Sequence, residues 1–518
     1  MNIFSRNIIA NQRQYVYLGI SVIFWLFISL FLPKSIIADN TSLTQAQINV
    51  LLNQANQAYI SGNYQEAITI WLKIVKEQKP QSNQLAIVYA NLASVHWHTG
   101  KPGAAIRYWR QAIKIYRQTD SSLAKLAATL TDTARAYNDL GQPNFSIPLL
   151  TETISYAEQK ELTKVKKVAY LALGNAYTIQ ENYSAAIDAY QKSLKNIEQI
   201  NSDLPIVVWN NLSQAYQQRA LNTEQKAIAA EQEGDLSAPQ LWQQVKSDRI
   251  SAWDAAEKAT GIRENSRSIA RVEALLQMAQ LAKNNATKSS QAVDSLLKAE
   301  VILSALPDSY QKVYALIELG KLTNDYDSRS KKILESAVKI AQKIHNPRVI
   351  SFATGAMGRH YEAQEQYDQA LYWTKQAQFT AQQAQAPDSL YQWDWQAARI
   401  YHATGKKDAA IETYERAISS LQAIGGNTTQ SQGDLLINFQ ANIEPIYRGL
   451  MKLLLTNNPS DSNFKQVLAT KDLLLLSELE NFFNDDCFKL ETYSEADRLA
   501  YLQKNNTVVV NTIILDDK

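Results

Sequence analysis

Gly62-Asn63-Tyr64-Gln65-Glu66-Ala67-Ile68 sets a glycine and a polar residue between two amphipathic segments, and an alanine at the start of the second. Glycine accepts the left-handed conformation that closes a helix C-terminus, and alanine lets two helix backbones approach closely. The stretch therefore reads as the turn of a helical hairpin. It recurs along the chain. Gly100-Lys101-Pro102-Gly103-Ala104-Ala105-Ile106 lies 38 residues on, Gly141 a further 41, and Glu181-Asn182-Tyr183-Ser184-Ala185-Ala186-Ile187 a further 40. Glu365-Gln366-Tyr367-Asp368-Gln369-Ala370-Leu371 and Gly405-Lys406-Lys407-Asp408-Ala409-Ala410-Ile411 are again 40 apart.

An aromatic residue follows the alanine by one helical turn, as Trp71, Trp109 or Tyr190, and fills the gap to the next unit. Before the turn, Leu173-Gly174-Asn175-Ala176-Tyr177 and Met357-Gly358-Arg359-His360-Tyr361 repeat a large residue, a small one and an aromatic at helix-face spacing. No such unit buries its apolar face alone, so neighbours must stack into one continuous core. The expected fold is all-α: a right-handed superhelix of about nine antiparallel helix pairs over residues 43–425. Two stretches depart from the pattern. A Gln/Glu-rich insertion from Thr223 to Ser247 precedes a second helix expected over Ala252 to Ala259, as longer helices or a protruding hairpin. Residues 265–345 keep helical periodicity, as in Ala292, Leu296, Ala299 and Leu303, without the turn pattern.

Composition agrees. The 518 residues include only 16 Gly and 12 Pro, few breakers for so long a chain. Lys and Arg number 52 against 50 Asp and Glu, a net charge of +2, so no basic excess is present to hold a phosphate backbone and nucleic acid is not an expected partner. One cysteine, Cys487, excludes an intramolecular disulfide and a cysteine zinc site, and five histidines leave little for metal chemistry. His96 and His98 stand two apart on a helix, where they point about 200° away from each other and cannot share an ion. Trp393 and Trp395 diverge likewise, one toward the core and the other toward a groove. No cofactor is expected.

Residues 1–38 read as a targeting segment. Arg6 and Arg13 precede a charge-free apolar run from Tyr15 to Leu32, followed by Pro33 and Ala38. Cleaved signal peptide and retained anchor are both open on these residues. Either way the positive N-terminal side stays cytoplasmic and the repeats lie outside, exported or tethered to the cytoplasmic membrane, with membrane contact confined to residues 15–32.

The repeated hairpin resembles the tetratricopeptide repeat, with units near 40 rather than about 34 residues. Phe439 to Arg448 and Leu473 to Cys487, in a C-terminal helical linker region over 426–490, resemble the segment leading into CHAT proteases, caspase-like domains that follow such repeats in many cyanobacterial proteins. Thr507-Val508-Val509-Val510-Asn511-Thr512-Ile513-Ile514-Leu515, within 505–518, reads as a strand and is similar to the first strand of that domain. The His and Cys dyad of that family lies beyond its first strand, and no residue of this sequence matches either position. Cys487 follows Asp485 and Asp486, which oppose thiolate formation, so no catalytic residue is expected.

The resemblance implies a protein or peptide partner on the concave face, lined by the first helix of each pair, and the chain is expected to act as a non-catalytic interaction scaffold. The alternative is the sensor half of a CHAT-type caspase-like peptidase whose catalytic half is missing or encoded separately. Aligned units place Arg135, Asn175, Gln214, Arg359 and Arg399 at one position of that face, and Trp97, Asn138, Glu362 and His402 one turn further on. Asn and Gln suit an extended backbone, and Arg suits a carboxylate.

Overall fold

The computed structural model describes residues 44–483, apart from 62, 78–82, 100, 119–122, 198–199, 201, 284–287, 324–327, 385, 425–442 and 457. The segment 1–38 expected to direct targeting, the turn glycines Gly62 and Gly100, Cys487 and the strand expected near Thr507 to Leu515 lie outside the described residues. Among the described residues there are twenty α-helices and no strand, and none of these helices is long and apolar enough to cross a membrane.

The helices follow one another as hairpins: α1 (Gln45–Ile60) with α2 (Tyr64–Glu77), α3 (Asn83–His98) with α4 (Pro102–Tyr116), and α5 (Leu123–Asp139) with α6 (Pro143–Gln159). Then come α7 (Thr163–Ile179) with α8 (Tyr183–Leu194), α9 (Leu204–Glu233) with α10 (Ala238–Gly261), and α11 (Ile269–Lys283) with α12 (Ser289–Ala305). The series continues with α13 (Tyr310–Leu322) and α14 (Ser328–Lys343), α15 (Pro347–Ala363) and α16 (Tyr367–Gln383), and α17 (Pro387–Ala403) and α18 (Lys407–Ile424). These are nine pairs, an all-α solenoid of tetratricopeptide type; α19 (Glu444–Leu455) and α20 (Asp461–Phe483) follow.

Residues up to Val88 and residues from Tyr89 onward are two compact units. In the first, the Thr44 hydroxyl accepts from the Gln47 backbone N–H while the Gln47 side chain accepts from the Thr44 N–H at 2.8 Å, a capping box that starts α1. Ala55, Ala58 and Ala67 let α1 and α2 close over the buried Trp71, whose ring lies 5.9 Å from Tyr59.

In the second unit one turn geometry recurs. The N–H groups of Gln142, Asn182, Gln366 and Lys406 donate to the carbonyls of Tyr137, Tyr177, Tyr361 and Tyr401 at 2.8, 2.9, 3.0 and 2.9 Å. The residue just before each donor is left-handed: Gly141 at φ 65°, Glu181 at 55°, Glu365 at 57° and Gly405 at 73°. This wraps the last carbonyls of the first helix and aims the chain back along it. The seam then interlocks large against small. A Cβ on Gly174 would stand 2.3 Å from Tyr190 Cε1, and one on Gly355 would stand 2.3 Å from the Trp393 ring, so only glycine lets those aromatics lie flat against the facing backbone.

The Thr223 to Ser247 insertion does not interrupt the helices. α9 runs unbroken for 30 residues and α10 for 24, so the second helix begins at Ala238 rather than near Ala252. The Gln, Glu, Lys and Ala of the insertion are strong helix formers, and Ala227, Ala230 and Val245 bury one seam along the extension. Gly234, at φ 70°, turns the arm. Residues 265–345 form two hairpins whose core, including Val272, Leu303, Val313 and Leu334, is continuous with Phe352, Met357 and Trp393. The segment expected as a linker joins the stack: Ile446, Tyr447 and Leu450 of α19 share one core with Tyr391, Tyr414 and Ile418.

From α5 to α17, first helices of successive pairs pack on one another. They form a continuous inner layer, while second helices contact chiefly their own hairpin and the next first helix.

Candidate functional site

The inner layer carries the expected positions, and neighbouring ones meet. Arg135 lies over the Trp97 ring at 4.5 Å and pairs with Asp132 at 3.4 Å. The Trp97 indole N–H donates to the Asp139 carboxylate. Burial raises the pKa of Asp139, opposed by that hydrogen bond and by the Arg135 charge. Burial and then Arg135 hold His98 below the ordinary histidine value. Asn138 faces inward: it is buried, with its amide donating to the Ala172 carbonyl at 2.8 Å, because α7 covers that turn of α5. It ties two first helices together and is not on the exposed face.

Asn175 accepts from the Tyr190 hydroxyl at 2.8 Å and from the Asn211 amide at 2.9 Å, which links α7, α8 and α9. Gln214, one turn beyond Asn211, lines a cavity of about 330 Å³ among α9, α11 and α13. In its wall Gln277 donates to Gln217 Oε1 at 2.8 Å and to Ser213 Oγ at 3.4 Å.

Glu362 and Arg399 form a two-pronged ion pair, Nε to Oε1 at 2.8 Å and Nη2 to Oε2 at 2.9 Å, with the guanidinium over the Trp395 ring at 4.4 Å. Trp393 is buried, donating to Ser351 Oγ at 2.6 Å, while Trp395 is half-buried and packs against the core of Tyr391, Tyr414 and Tyr447. Beneath the face, edge-on rings step from Tyr314 to Phe352 at 5.6 Å and to Trp393 at 5.8 Å. Arg359 lies 5.4 Å from the Trp393 ring, exposed, with no hydrogen bond or ion pair to another described residue. Surrounding protein atoms, and then the Arg399 charge, lower its pKa; Glu318 and Glu362 oppose that shift through space. His402, a turn beyond Arg399, is exposed and joins none of these contacts.

Asn211, Gln217, Gln277, Gln280 and Gln311 belong to the same face and carry no turn pattern nearby to align them. Their own spacing is informative: Glu273, Gln277 and Gln280 on α11 fall at i, i+4 and i+7, and Gln311 and Glu318 on α13 at i and i+7, a polar stripe of helical period. Among the described residues no group of three His, Cys, Asp or Glu side chains is placed to hold a metal ion.

A helical-repeat scaffold with a polar inner stripe is what these features define. Tetratricopeptide-repeat models match residues 46–118, 84–159, 168–199 and 395–420, so repeats of that kind are present there. No curated protein matches the sequence. Among solved structures, a Rap protein complexed with Competence and Sporulation Factor is 14% identical, over 78% of this chain and 100% of that one, with a TM-score of 0.39. Aspartyl phosphate phosphatase F from Bacillus subtilis is 13% identical, over 65% and 71%, at 0.37. The Rap conjugation gene regulator of the plasmid pLS20 with the Phr* peptide is 10% identical, over 61% and 80%, at 0.37.

Proposed function

We propose that this chain is a non-catalytic protein–protein interaction scaffold that binds a peptide or partner protein along the inner face of its first helices. The observation that carries the reading is Arg359. An exposed guanidinium stacked over an aromatic ring, with no paired carboxylate among the described residues, is positioned to receive one from outside. Arg399 beside it is already engaged by Glu362, so of the two cations only Arg399 has an ion-paired partner among the described residues. Trp97 with Arg135, Asn175 and Gln214 extend the same face, and His402 continues it beyond Arg399.

An acidic side chain or a C-terminal carboxylate is the group that Arg359 would bind. The full chain with Arg359→Glu is expected to capture its partner about tenfold less in a pull-down, as losing a charge-assisted hydrogen bond predicts, with an unchanged melting temperature. Equal capture would sink the reading. Two finer points extend it. The Arg6 and Arg13 flank of the apolar run from Tyr15 to Leu32 supports placement of the repeats outside the cytoplasm, and the likeness of residues 435–515 to the approach to a CHAT domain supports a separately encoded protease module as the partner. A reporter enzyme that matures only outside the cytoplasm, fused after α18, should be active; an inactive fusion refutes the placement.

A further inference from the structure

We propose that the cavity among α9, α11 and α13 is a cradle for the main chain of an extended, uncharged peptide segment about five or six residues long. The inference rests on the reading of the inner face as a peptide-binding surface and adds the ligand class. It concerns a place outside the segments that the repeat models match.

The cavity holds about 330 Å³, at the small end of ligand sites, and its walls are carboxamides. Gln214 and Gln218 come from α9, Gln280 from α11 and Gln311 from α13, and none of the four has a hydrogen bond to another described residue. By contrast Gln277 is held by Gln217 and Ser213. The floor is thus fixed and the rim amides are unengaged. Asn210, 3% exposed in the same wall, leaves its buried Oδ1 without a donor, a state that proteins seldom tolerate.

A carboxamide offers a donor and an acceptor from one planar group, as a peptide bond does, so a row of them can follow the alternating N–H and C=O groups of an extended chain. The fixed charges at the cavity are Glu273 and Glu318 against Lys321, which pairs with Glu318 at 3.5 Å; the net of one negative charge disfavours an acidic segment and sets up no strong field to select a basic one. Three packed first helices at about 8–10 Å between axes span roughly 16–20 Å. At about 3.3 Å per residue that distance takes five or six residues of extended peptide.

The test uses the full chain and a pool of N-acetylated, C-amidated hexapeptides of Gly, Ala, Ser, Thr and Val, read by affinity selection and by hydrogen exchange of α9, α11 and α13. Pool members should bind and protect those three helices. Gln214→Ala with Gln280→Ala should weaken binding about tenfold, while Lys192→Ala, at an exposed ion pair on α8, leaves it unchanged. If the double variant melts early, Gln218→Ala with Gln311→Ala should give the same loss. N-methylation of alternate peptide nitrogens should abolish binding. Equal binding of the N-methylated peptides overturns the cradle. So does failure of the whole pool, or selection of neutral oligosaccharides in its place. If free-acid peptides bind through Arg359 while blocked ones do not, the cradle falls and the inner-face reading stands. If blocked peptides bind the cradle while Arg359→Glu leaves partner capture intact, the carboxylate role falls instead.

Discussion

The hairpin of α7 and α8 and the hairpin of α9 and α10 are neighbours built on different principles. In the first, helices of 17 and 12 residues interlock a glycine with an aromatic, Gly174 under Tyr190. In the second, helices of 30 and 24 residues meet along small residues, with the Ser213 hydroxyl donating to the Ala252 carbonyl at 2.7 Å, and Arg219 clasps the buried Asp248 at 2.8 and 2.7 Å. The first seam is chiefly shape; the second is small contacts plus two charge pairs, the other being Arg249 with Glu224 at 2.7 Å. Repeat recognition follows the first kind, because a glycine and an aromatic at set spacing can be aligned, whereas an ion pair between residues 219 and 248 leaves no local motif.

The sharpest way to break this contrast is Arg219→Ala. It strips the guanidinium from a carboxylate that is 1% exposed in the intact pair, with only the Gln244 amide among the described residues, at 2.9 Å, still donating to it. Stranding a buried charge costs about 3–5 kcal/mol. The loss should appear as a lowered melting temperature and as fast hydrogen exchange concentrated in α9 and α10. An unchanged exchange pattern would mean that the long hairpin is held without the Arg219–Asp248 pair, by its small-residue contacts and Arg249 with Glu224. Gly174→Ala attacks the other seam. Its new methyl meets the Tyr190 ring, and overpacking of that kind costs about 1–3 kcal/mol. Combining it with Tyr190→Leu should recover part of the loss in thermal melts; strict additivity would show that the ring is not the obstacle.

These differences explain what was legible beforehand. The hairpin turns were, since Gly141 and Gly405 mark the left-handed residue directly and Glu181 and Glu365 occupy the same register. Arg359 and Arg399 could be placed on the inner face from the repeat alone. Asn138 could not, because helical spacing from Arg135 gives a shared side of α5 and says nothing of how far α7 overlaps it, and that overlap buries the amide against Ala172. The amides of α11 and α13 escaped for a related reason. With no turn pattern to fix the register of residues 265–345, their polar stripe could not be assigned to either face of the stack.

Tyr190→Phe sharpens the comparison at smaller scale. The ring stays to fill the seam, while the hydroxyl that reaches Asn175 at 2.8 Å and Thr178 at 3.0 Å is lost. A loss of about 1 kcal/mol is expected in denaturant melts, against the larger cost of overpacking the same ring. A neutral result would assign the Gly174–Tyr190 contact to packing, leaving the Ser193 hydroxyl on the Lys167 carbonyl, at 2.8 Å, as the polar tie of that seam. It would also predict that Asn175 keeps its place through Asn211, at 2.9 Å, without help from the tyrosine.

The smallest expected effect has the opposite sign. Glu181 and Glu365 occupy left-handed conformations at φ 55° and 57°, where a side chain costs roughly 1–2 kcal/mol that glycine avoids. Glycine in turn gives the unfolded chain more freedom, offsetting about 0.4–1 kcal/mol. Glu365→Gly should therefore stabilise by about 0.5 kcal/mol, seen as a small rise in melting temperature, and Gly405→Ala, at φ 73°, should lower it. The Glu365 side chain is exposed and burial does not complicate the change. The same change at residue 181 is a weaker test, since burial raises the pKa of Glu181 and removing that carboxyl adds a second effect. A destabilised Glu365→Gly would show that the glutamate makes a favourable interaction outweighing its backbone cost, and that the turns of the matched and unmatched repeats are not equivalent.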